Sequence, residues 1–286
     1  MTAPGPADVA GRVALVTGGA RGLGRAHASL LARLGVKVVV NDSGVDLLGD
    51  HPEPALAEGV AASLRSDGFD AVGDASDVST FAGAAAAVAR AVETYGRLDI
   101  LINNAGTLHA ALVEAVTEAE LLADLRVHAV GTVATMQAAF PHMRAQRRGR
   151  IVNTLSEAAL RTELAAGIAY STAKAAVWGA TMSAALEGRP HGITVNALSP
   201  GALTRMSKGF LDAQGIPDGL DLSPDRVSEV VVGLCTDAAH DITGRVVHTA
   251  GGFVREFVMS RVDDSELVHR LLGLAAGTRR PGLTAH

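Results

Sequence analysis

The chain has 286 residues, of which 48% are hydrophobic and 19% charged, a composition typical of a folded soluble domain and not of a disordered chain. Its net charge of -5 disfavours nucleic acid as a partner, because bulk nucleic-acid binding needs a basic surface. The single cysteine, Cys235, allows no internal disulfide, and no segment reads as a signal peptide or a membrane span, so we expect a cytoplasmic protein without a membrane partner.

Short β-branched runs alternate with longer amphipathic segments along the chain. The predicted strands cover residues 13–16, 36–40, 70–74, 98–102, 150–154, 193–197 and 246–249. The predicted helices cover residues 22–34, 53–65, 80–95, 117–147, 165–187 and 224–236, with a bend in the fourth near Gly131 or Pro141. Buried strands that alternate with helices predict the α/β class: a doubly wound (Rossmann) parallel sheet of about seven strands with helices on both faces.

No linker divides the chain, so we predict a single domain over residues 1–286 with its core at about 11–252. A Gly/Asp/Pro-rich insert at residues 43–54 is expected at the carboxyl edge of the sheet, near any ligand. Residues 203–224 are expected to include a mobile substrate loop, with Gly209, Gly215 and Gly219 as flex points. Residues 275–286 are expected to be a mobile tail or an arm that a partner subunit orders.

A glycine-rich turn, residues 18–24, follows the first predicted strand and precedes a helix. Its glycines would let the backbone approach a pyrophosphate, and the helix would direct its free N–H groups at that anion. At the end of the second strand, Asp42 could accept both ribose hydroxyls and would repel a 2′-phosphate, which favours NAD over NADP. Asp42 could instead be a solvated loop acid, and the Arg21 guanidinium could hold a 2′-phosphate.

Five motifs occur in an order that resembles the short-chain dehydrogenase/reductase family, over about residues 11–252. They are Thr17-Gly18-x-x-x-Gly22-x-Gly24, Asn103-Asn104-Ala105-Gly106, a serine, Tyr170-x-x-x-Lys174 and Pro200-Gly201. The resemblance implies a dinucleotide site that contains Gly18, Arg21, Gly22, Leu23, Gly24, Asp42, Asp77, Val78, Asn104, Ala105, Gly106, Tyr170, Lys174, Pro200, Gly201 and Thr204. Asp77 could equally be the acid that begins a helix. No metal site is predicted.

Tyr170 and Lys174 lie four residues apart and therefore share one face of a helix. Reducing a ketone requires a proton for the forming alkoxide, and oxidising an alcohol requires a base. A free tyrosine has a pKa of about 10 and is a poor base at neutral pH. The cationic Lys174 and a positive nicotinamide ring are therefore expected to lower the pKa of Tyr170. The alternative is a tyrosine that only fills the core.

The serine of the motif set is assigned to Ser156. Family members usually carry it thirteen residues before the tyrosine, a position that holds Glu157 in this chain. Alignment of the strand residues 151–153 selects Ser156 instead, and a serine can hydrogen-bond the substrate oxygen whereas an ionised glutamate cannot. Thr154, Glu157 and a structural role for Ser156 stay as alternatives.

His128 stands where many family members carry an asparagine that supports a proton-relay water. An imidazole could also hold such a water and titrate near neutral pH, or His128 could be a satisfied buried histidine. Residues 40–42, the insert and residues 126–128 are similar to the (3R)-hydroxyacyl-CoA dehydrogenase domain of type 2 peroxisomal multifunctional enzymes and to bacterial single-domain relatives. That similarity implies a small carbonyl or alcohol substrate, such as a 3-hydroxyacyl thioester or a steroid-like alcohol, and the family implies a homotetramer or homodimer.

Three functions are compatible with these residues. The favoured one is hydride transfer between NAD(H) and a secondary alcohol or ketone, because the motif set retains both Tyr170 and Lys174. The second is an NADPH-dependent ketoreductase of a biosynthetic pathway. The third is a redox-inactive dinucleotide-binding module, supported only by the shifted serine and by His128.

Overall fold

Eight strands form one sheet in a computed structural model that describes residues 8–161, 164, 166–214 and 220–259. They are β1 (Val13–Thr17), β2 (Lys37–Asn41), β3 (Ala71–Asp74), β4 (Ile100–Asn103), β5 (Gly149–Thr154), β6 (Ile193–Gly201), β7 (Val246–Ala250) and β8 (Phe253–Phe257). Their spatial order is β3-β2-β1-β4-β5-β6-β7-β8. The first seven pair in parallel, and β8 pairs antiparallel to β7.

Helices cover both faces of the sheet. They are α1 (Gly22–Arg33), α2 (Ala55–Ser66), α3 (Phe81–Tyr95), α4 (Glu118–Asp124), α5 (Gly131–Gln146), α6 (Ile168–Gly188), α7 (Arg205–Gln214) and α8 (Pro224–Cys235). One core cluster packs α1, α2 and α8 on one face, and a second packs α3, α5 and α6 on the other. This burial on both sides explains the continuous apolar runs in the strands, and the predicted doubly wound α/β class is confirmed.

The strand order reverses beside β1, whose two neighbours are β2 and β4. In such sheets ligands bind in the crevice outside the carboxyl ends of the strands at this switch point. The loops that leave β1, β2 and β4 therefore meet at one edge, and these are the loops that carry the predicted dinucleotide motifs.

The strand β8 is absent from the sequence prediction. It follows a turn in which Gly251 and Gly252 adopt φ values of +55° and +87°. Four of its five residues are exposed, and two of them are charged. An exposed edge strand lacks the apolar run by which the inner strands are recognised.

The helix α7 occupies part of the region predicted as a mobile loop, so the expectation of a loop is wrong for these residues, and their mobility stays a prediction. Thr204 and Ser207 exchange hydrogen bonds across its start, which satisfies N–H groups that would otherwise be free, and Gly209 lies inside the helix. The predicted flex points Gly215 and Gly219, the predicted helix start at Ala165 and the tail at 275–286 lie outside the described residues.

The long helical region after β4 is irregular at Leu125–Val130, which forms a π-helical turn between α4 and α5. The turn ends at Gly131, one of the two positions where a bend was expected, whereas Pro141 lies within α5. Such π-turns occur often at functional sites, and this one carries His128. None of the described helices is both long and apolar enough to cross a membrane.

Candidate active site

The glycine-rich turn after β1 is fastened to the loop after β4. The Asn104 amide donates hydrogen bonds to the carbonyls of Thr17 and Gly18, at 3.0 and 3.1 Å. The Thr17 hydroxyl accepts from the backbone N–H groups of Asn104 and Ala105, at 3.0 and 3.1 Å. A Cβ at Gly18 would lie 2.8 Å from the Ala105 Cα, and one at Gly24 would lie 2.0 Å from the Gly18 oxygen. Both positions therefore require glycine.

The first turn of α1 leaves its N–H groups available to an anion. Arg21, the residue before the helix, makes no side-chain capping bond, and no acidic residue lies in the first turn. Gly22 begins the helix with φ of +49°, and a Cβ there would come within 3.7 Å of the Thr204 methyl group. The loop after β6 thus reaches the turn. These residues fit a dinucleotide pyrophosphate, because the helix N-terminus presents donors and a positive dipole end.

The end of β2 and the insert hold Asp42 and Arg21 in a local network. Asp42 accepts hydrogen bonds from a backbone N–H of the glycine-rich turn (3.0 Å) and from that of Gly44 in the insert (2.8 Å). The Arg21 guanidinium donates to the Val45 carbonyl at 2.9 Å and pairs with Glu53 at 3.0 Å. The insert therefore lies beside the site, as expected, and it occupies the cation that might have held a 2′-phosphate.

Asp77 has the geometry of an acid that begins a helix, which was the alternative to a role in dinucleotide binding. Its carboxylate accepts a hydrogen bond from the Ser79 N–H at 3.0 Å, and Thr80 caps α3. Val78 is buried, and its carbonyl lies 3.0 Å from the position of a Cβ at Gly131. The remaining predicted dinucleotide residues keep the positions that their motifs imply: Leu23 packs at the start of α1, Gly106 follows β4, and Pro200 and Gly201 end β6.

Tyr170 and Lys174 lie on the buried face of α6, with 8% and 3% of their surfaces exposed. The Lys174 ammonium donates to the Thr154 carbonyl at 2.7 Å and lies 5.6 Å from the centre of the Tyr170 ring. Burial raises the pKa of Tyr170 to about 12, although a hydrogen bond with the Ser156 side chain acts in the opposite direction. Burial lowers the pKa of Lys174 to about 7, and the negative charge of Asp124 partly opposes that shift.

The lowering of the tyrosine pKa that we expect from Lys174 together with a nicotinamide ring is not present in the protein without dinucleotide. Desolvation dominates for Tyr170, because a buried phenolate loses its hydration. With a pKa of about 7, Lys174 is also only partly charged at neutral pH. The joint effect of Lys174 and a nicotinamide ring on the pKa of Tyr170 therefore stays a prediction for the protein with dinucleotide bound.

The buried Lys174 predicts a pH dependence of folding stability. Its pKa is about 7 in the folded protein, against an ordinary value of 10.5, so the unfolded chain binds more protons between those pH values. Stability should therefore rise with pH across this window, and the cost of the buried ammonium is full below pH 7. Lys174→Met removes the titrating group, so its urea unfolding midpoint should climb less than that of the wild type between about pH 6 and pH 9. Parallel midpoint curves would contradict the assignment.

Ser156, and not Glu157, is brought to the tyrosine. The Ser156 side chain acts on the Tyr170 phenol in the direction that lowers its pKa, and it accepts a hydrogen bond from the Ala158 N–H at 3.2 Å. Glu157 turns elsewhere, with one carboxylate oxygen 3.2 Å from Arg161 and the other 3.8 Å from His248. The geometry therefore favours Ser156 as the motif serine. Thr154 contributes its backbone carbonyl to Lys174 and not its hydroxyl.

His128 is buried beside the tyrosine, with its ring edge-on to that of Tyr170 at a centroid distance of 5.3 Å. Its Nε2 lies 2.8 Å from the Thr107 carbonyl oxygen and 3.2 Å from the Thr107 backbone nitrogen, and its Nδ1 is buried without a partner among the described residues. Burial and the nearby Lys174 charge hold the pKa of His128 well below its ordinary value. The suggested titration near neutral pH is therefore wrong, because the charged ring would lack hydration.

Two hydrogen-bonded groups around the site were not predicted from the sequence, although Asn103 belongs to one of the five motifs. Asn103 and Asn153, at the ends of β4 and β5, join their amides at 2.9 Å and extend to Thr135 and Thr181 on the helices above. The second group surrounds Asp124, a fully buried carboxylate on α4. No spacing rule indicates either group, because their members come from separate elements and meet only in the folded chain.

Comparisons with known proteins agree with this geometry. The sequence model of the short chain dehydrogenase family matches residues 12–214. The peroxisomal multifunctional enzyme type 2 of Drosophila melanogaster is 35% identical over 88% of the chain, which spans 41% of that longer protein. The trans-4-hydroxycyclohexanecarboxylate dehydrogenase of Sinomonas cyclohexanicum is 36% identical over 85% of the chain and 93% of its own length. The crystal structure of a short chain dehydrogenase from Mycobacterium avium superposes with a TM-score of 0.79 at 35% identity, over 97% of this chain and 99% of that one.

Proposed function

The chain belongs to the short-chain dehydrogenase/reductase family, and we propose that it transfers a hydride between NAD(H) and a secondary alcohol or ketone. The resemblance inferred from the five motifs is confirmed by the family match over residues 12–214. The observation that carries the proposal is the burial of Tyr170 and Lys174 together on one face of α6, with the ammonium 5.6 Å from the centre of the tyrosine ring. A tyrosine that only filled the core would not need a buried lysine against its ring.

The dinucleotide, when bound, supplies the hydride acceptor or donor. Tyr170 carries the proton: its hydroxyl donates to the oxygen of a ketone during reduction and receives the proton of the alcohol during oxidation. Because its pKa is about 12 before a dinucleotide binds, the phenol rests in its neutral, donating form. Ser156 donates to the same substrate oxygen and holds it near the phenol. Lys174, fixed to the Thr154 carbonyl, provides the charge that stabilises the phenolate.

The preference for NAD is supported by charge at the ribose end of the site. Asp42 is held at the end of β2 by two backbone donors, so its carboxylate cannot swing away from a 2′-phosphate. Arg21 is already engaged by Glu53 and by insert carbonyls. A 2′-phosphate would therefore meet the Asp42 carboxylate and an Arg21 guanidinium that already has partners. These contacts disfavour the alternative of an NADPH-dependent ketoreductase.

Asp42→Asn is expected to shift the ratio of NADP to NAD affinities by at least about tenfold toward NADP, because it removes a like charge beside the phosphate. Glu53→Gln should give a smaller shift, below about tenfold, since exposed ion pairs contribute little. Dissociation constants measured by fluorescence of the reduced dinucleotides test both variants without any substrate. Glu229→Gln, which alters an exposed pair with Arg226 on α8, is the matched control. Tighter binding of NADPH than NADH by the wild type would defeat the assignment.

The substrate class is proposed from the relatives. Two of them, named for peroxisomal multifunctional activity and for a hydroxycyclohexanecarboxylate, match most of this chain. We expect a 3-hydroxyacyl thioester or a bulky cyclic alcohol to be oxidised by purified protein with NAD, measured as absorbance of the reduced cofactor. Dinucleotide binding without turnover on any such alcohol would instead support the redox-inactive module. Assembly as a homodimer or homotetramer and a cytoplasmic location stay predictions.

A further inference from the structure

The Asp124 carboxylate is fully buried on α4 and holds a histidine from the loop after β4. It accepts hydrogen bonds from the Thr107 hydroxyl at 2.7 Å, the His109 Nδ1 at 2.8 Å and the His109 backbone N–H at 3.2 Å. A buried carboxylate is costly unless donors or a cation compensate it. Three donors from one short loop do so, and in return they fix the orientation of the His109 ring.

The loop that carries His109 contacts the start of α6, the helix that carries Tyr170. The Ile168 N–H, two residues before Tyr170, donates to the Ala111 carbonyl at 3.1 Å. A Cβ at Gly167 would lie 2.8 Å from the His109 carbonyl oxygen, so the loop and the start of α6 are in close contact. On the other side of the loop, Thr107 binds His128, whose ring packs against Tyr170. His109 therefore sits between elements that both touch the reacting tyrosine.

One nitrogen of His109 remains available to a ligand. An ionised carboxylate only accepts hydrogen bonds, so the proton of the Asp124 contact lies on Nδ1. Nε2 has no partner among the described residues, and the ring keeps 11% of its side-chain surface exposed. When the ring is protonated, Nε2 becomes a donor whose direction Asp124 sets.

We propose that His109 is a substrate-binding residue whose protonated Nε2 donates a hydrogen bond to a second oxygen of the substrate, a carbonyl or carboxylate near the reacting carbinol, and that Asp124 is the positioning residue for that ring. This inference rests on the proposed function, because it assumes that an alcohol is bound beside Tyr170. It selects among alcohols: those that carry a second oxygen bind through His109, and plain secondary alcohols do not.

The test compares a 3-hydroxyacyl thioester, as substrate, with a plain secondary alcohol of the same length, as competitive inhibitor. In His109→Ala the KM for the thioester should rise about tenfold or more, the loss expected for a charge-assisted hydrogen bond, while kcat and the inhibition constant of the plain alcohol change little. His109→Gln, whose amide can still donate, should recover part of the affinity. His240→Ala, an exposed histidine after α8, is the control and should behave as wild type.

Failure of this inference can be distinguished from failure of the proposed function. If His109→Ala weakens both ligands equally, or leaves the thioester KM unchanged, the ring does not read the second oxygen and the inference is overturned. If the wild type folds and binds dinucleotide but oxidises no thioester or cyclic alcohol, the proposed function fails. The inference is then judged from equilibrium binding of the thioester in the presence of NADH, and equal affinity of the wild type and His109→Ala overturns it. Thermal unfolding of each variant, with and without dinucleotide, separates misfolding from loss of the contact.

Discussion

Tyr170→Phe is expected to lower kcat about 10³-fold, within the range that general acid–base catalysis contributes, while the dissociation constant for NADH stays within about twofold of the wild type. The substitution removes one hydroxyl and keeps the ring that packs against His128. Since burial favours the neutral phenol, its removal should also leave folding intact. Steady-state oxidation of an active alcohol and fluorescence titration with NADH measure the two quantities on the same preparations.

The chain contains a second tyrosine that provides the matched control. Tyr95 ends α3, and its hydroxyl is buried without a hydrogen-bond partner among the described residues. Tyr95→Phe removes the same atom and should leave kcat unchanged and stability equal or slightly higher, because an unpaired buried hydroxyl costs free energy. Equal kcat values for Tyr170→Phe and Tyr95→Phe would show that the Tyr170 hydroxyl carries no proton in the reaction.

Sequence patterns predicted the inner strands of the sheet and most of its helices, but they did not predict β8 and α7. The strand β4, for example, is an uninterrupted apolar run because helices cover both of its faces, whereas β8 is exposed and partly charged and leaves no such pattern. The helix α7 lies within the segment assigned to a loop, and its start depends on the paired Thr204 and Ser207 side chains.

Some features of the site were likewise predictable from the sequence, and others depend on the folded chain. Spacing alone indicated the glycine turn and the shared face of Tyr170 and Lys174, because both follow from helix and strand geometry. The spacing of residues along the chain could not predict the protonation states of these side chains. The pKa values of Tyr170 and Lys174 depend on burial that dozens of distant residues create. The hydrogen bond between Asp124 and His109 links residues fifteen positions apart, and it forms only because α4 and the preceding loop fold onto α6.

Gly24→Ala is expected to abolish measurable dinucleotide binding and to destabilise the fold by several kcal/mol, as overpacking that moves the backbone does. The new Cβ would lie 2.0 Å from the Gly18 carbonyl oxygen and 2.6 Å from the Asn104 amide. Neither neighbour can yield, because that amide clamps the carbonyls of the turn itself. The helix α1 would have to move away from β1 and withdraw its N–H groups from the pyrophosphate. Fluorescence titration with NADH and urea unfolding measure the two losses.

Gly59→Ala provides the control for this substitution, since Gly59 lies within α2 with no atom within 4 Å of the position of its Cβ. That variant should keep the NADH affinity and gain about 0.5–1 kcal/mol of stability, because alanine orders a helix at a lower entropic cost than glycine. Comparing the two variants separates the effect of a steric clash at the new Cβ from the effect of replacing a glycine as such. If Gly24→Ala bound NADH as tightly as Gly59→Ala does, the turn after β1 would not be the place where the pyrophosphate meets the chain, and the dinucleotide would have to enter the crevice by another set of donors.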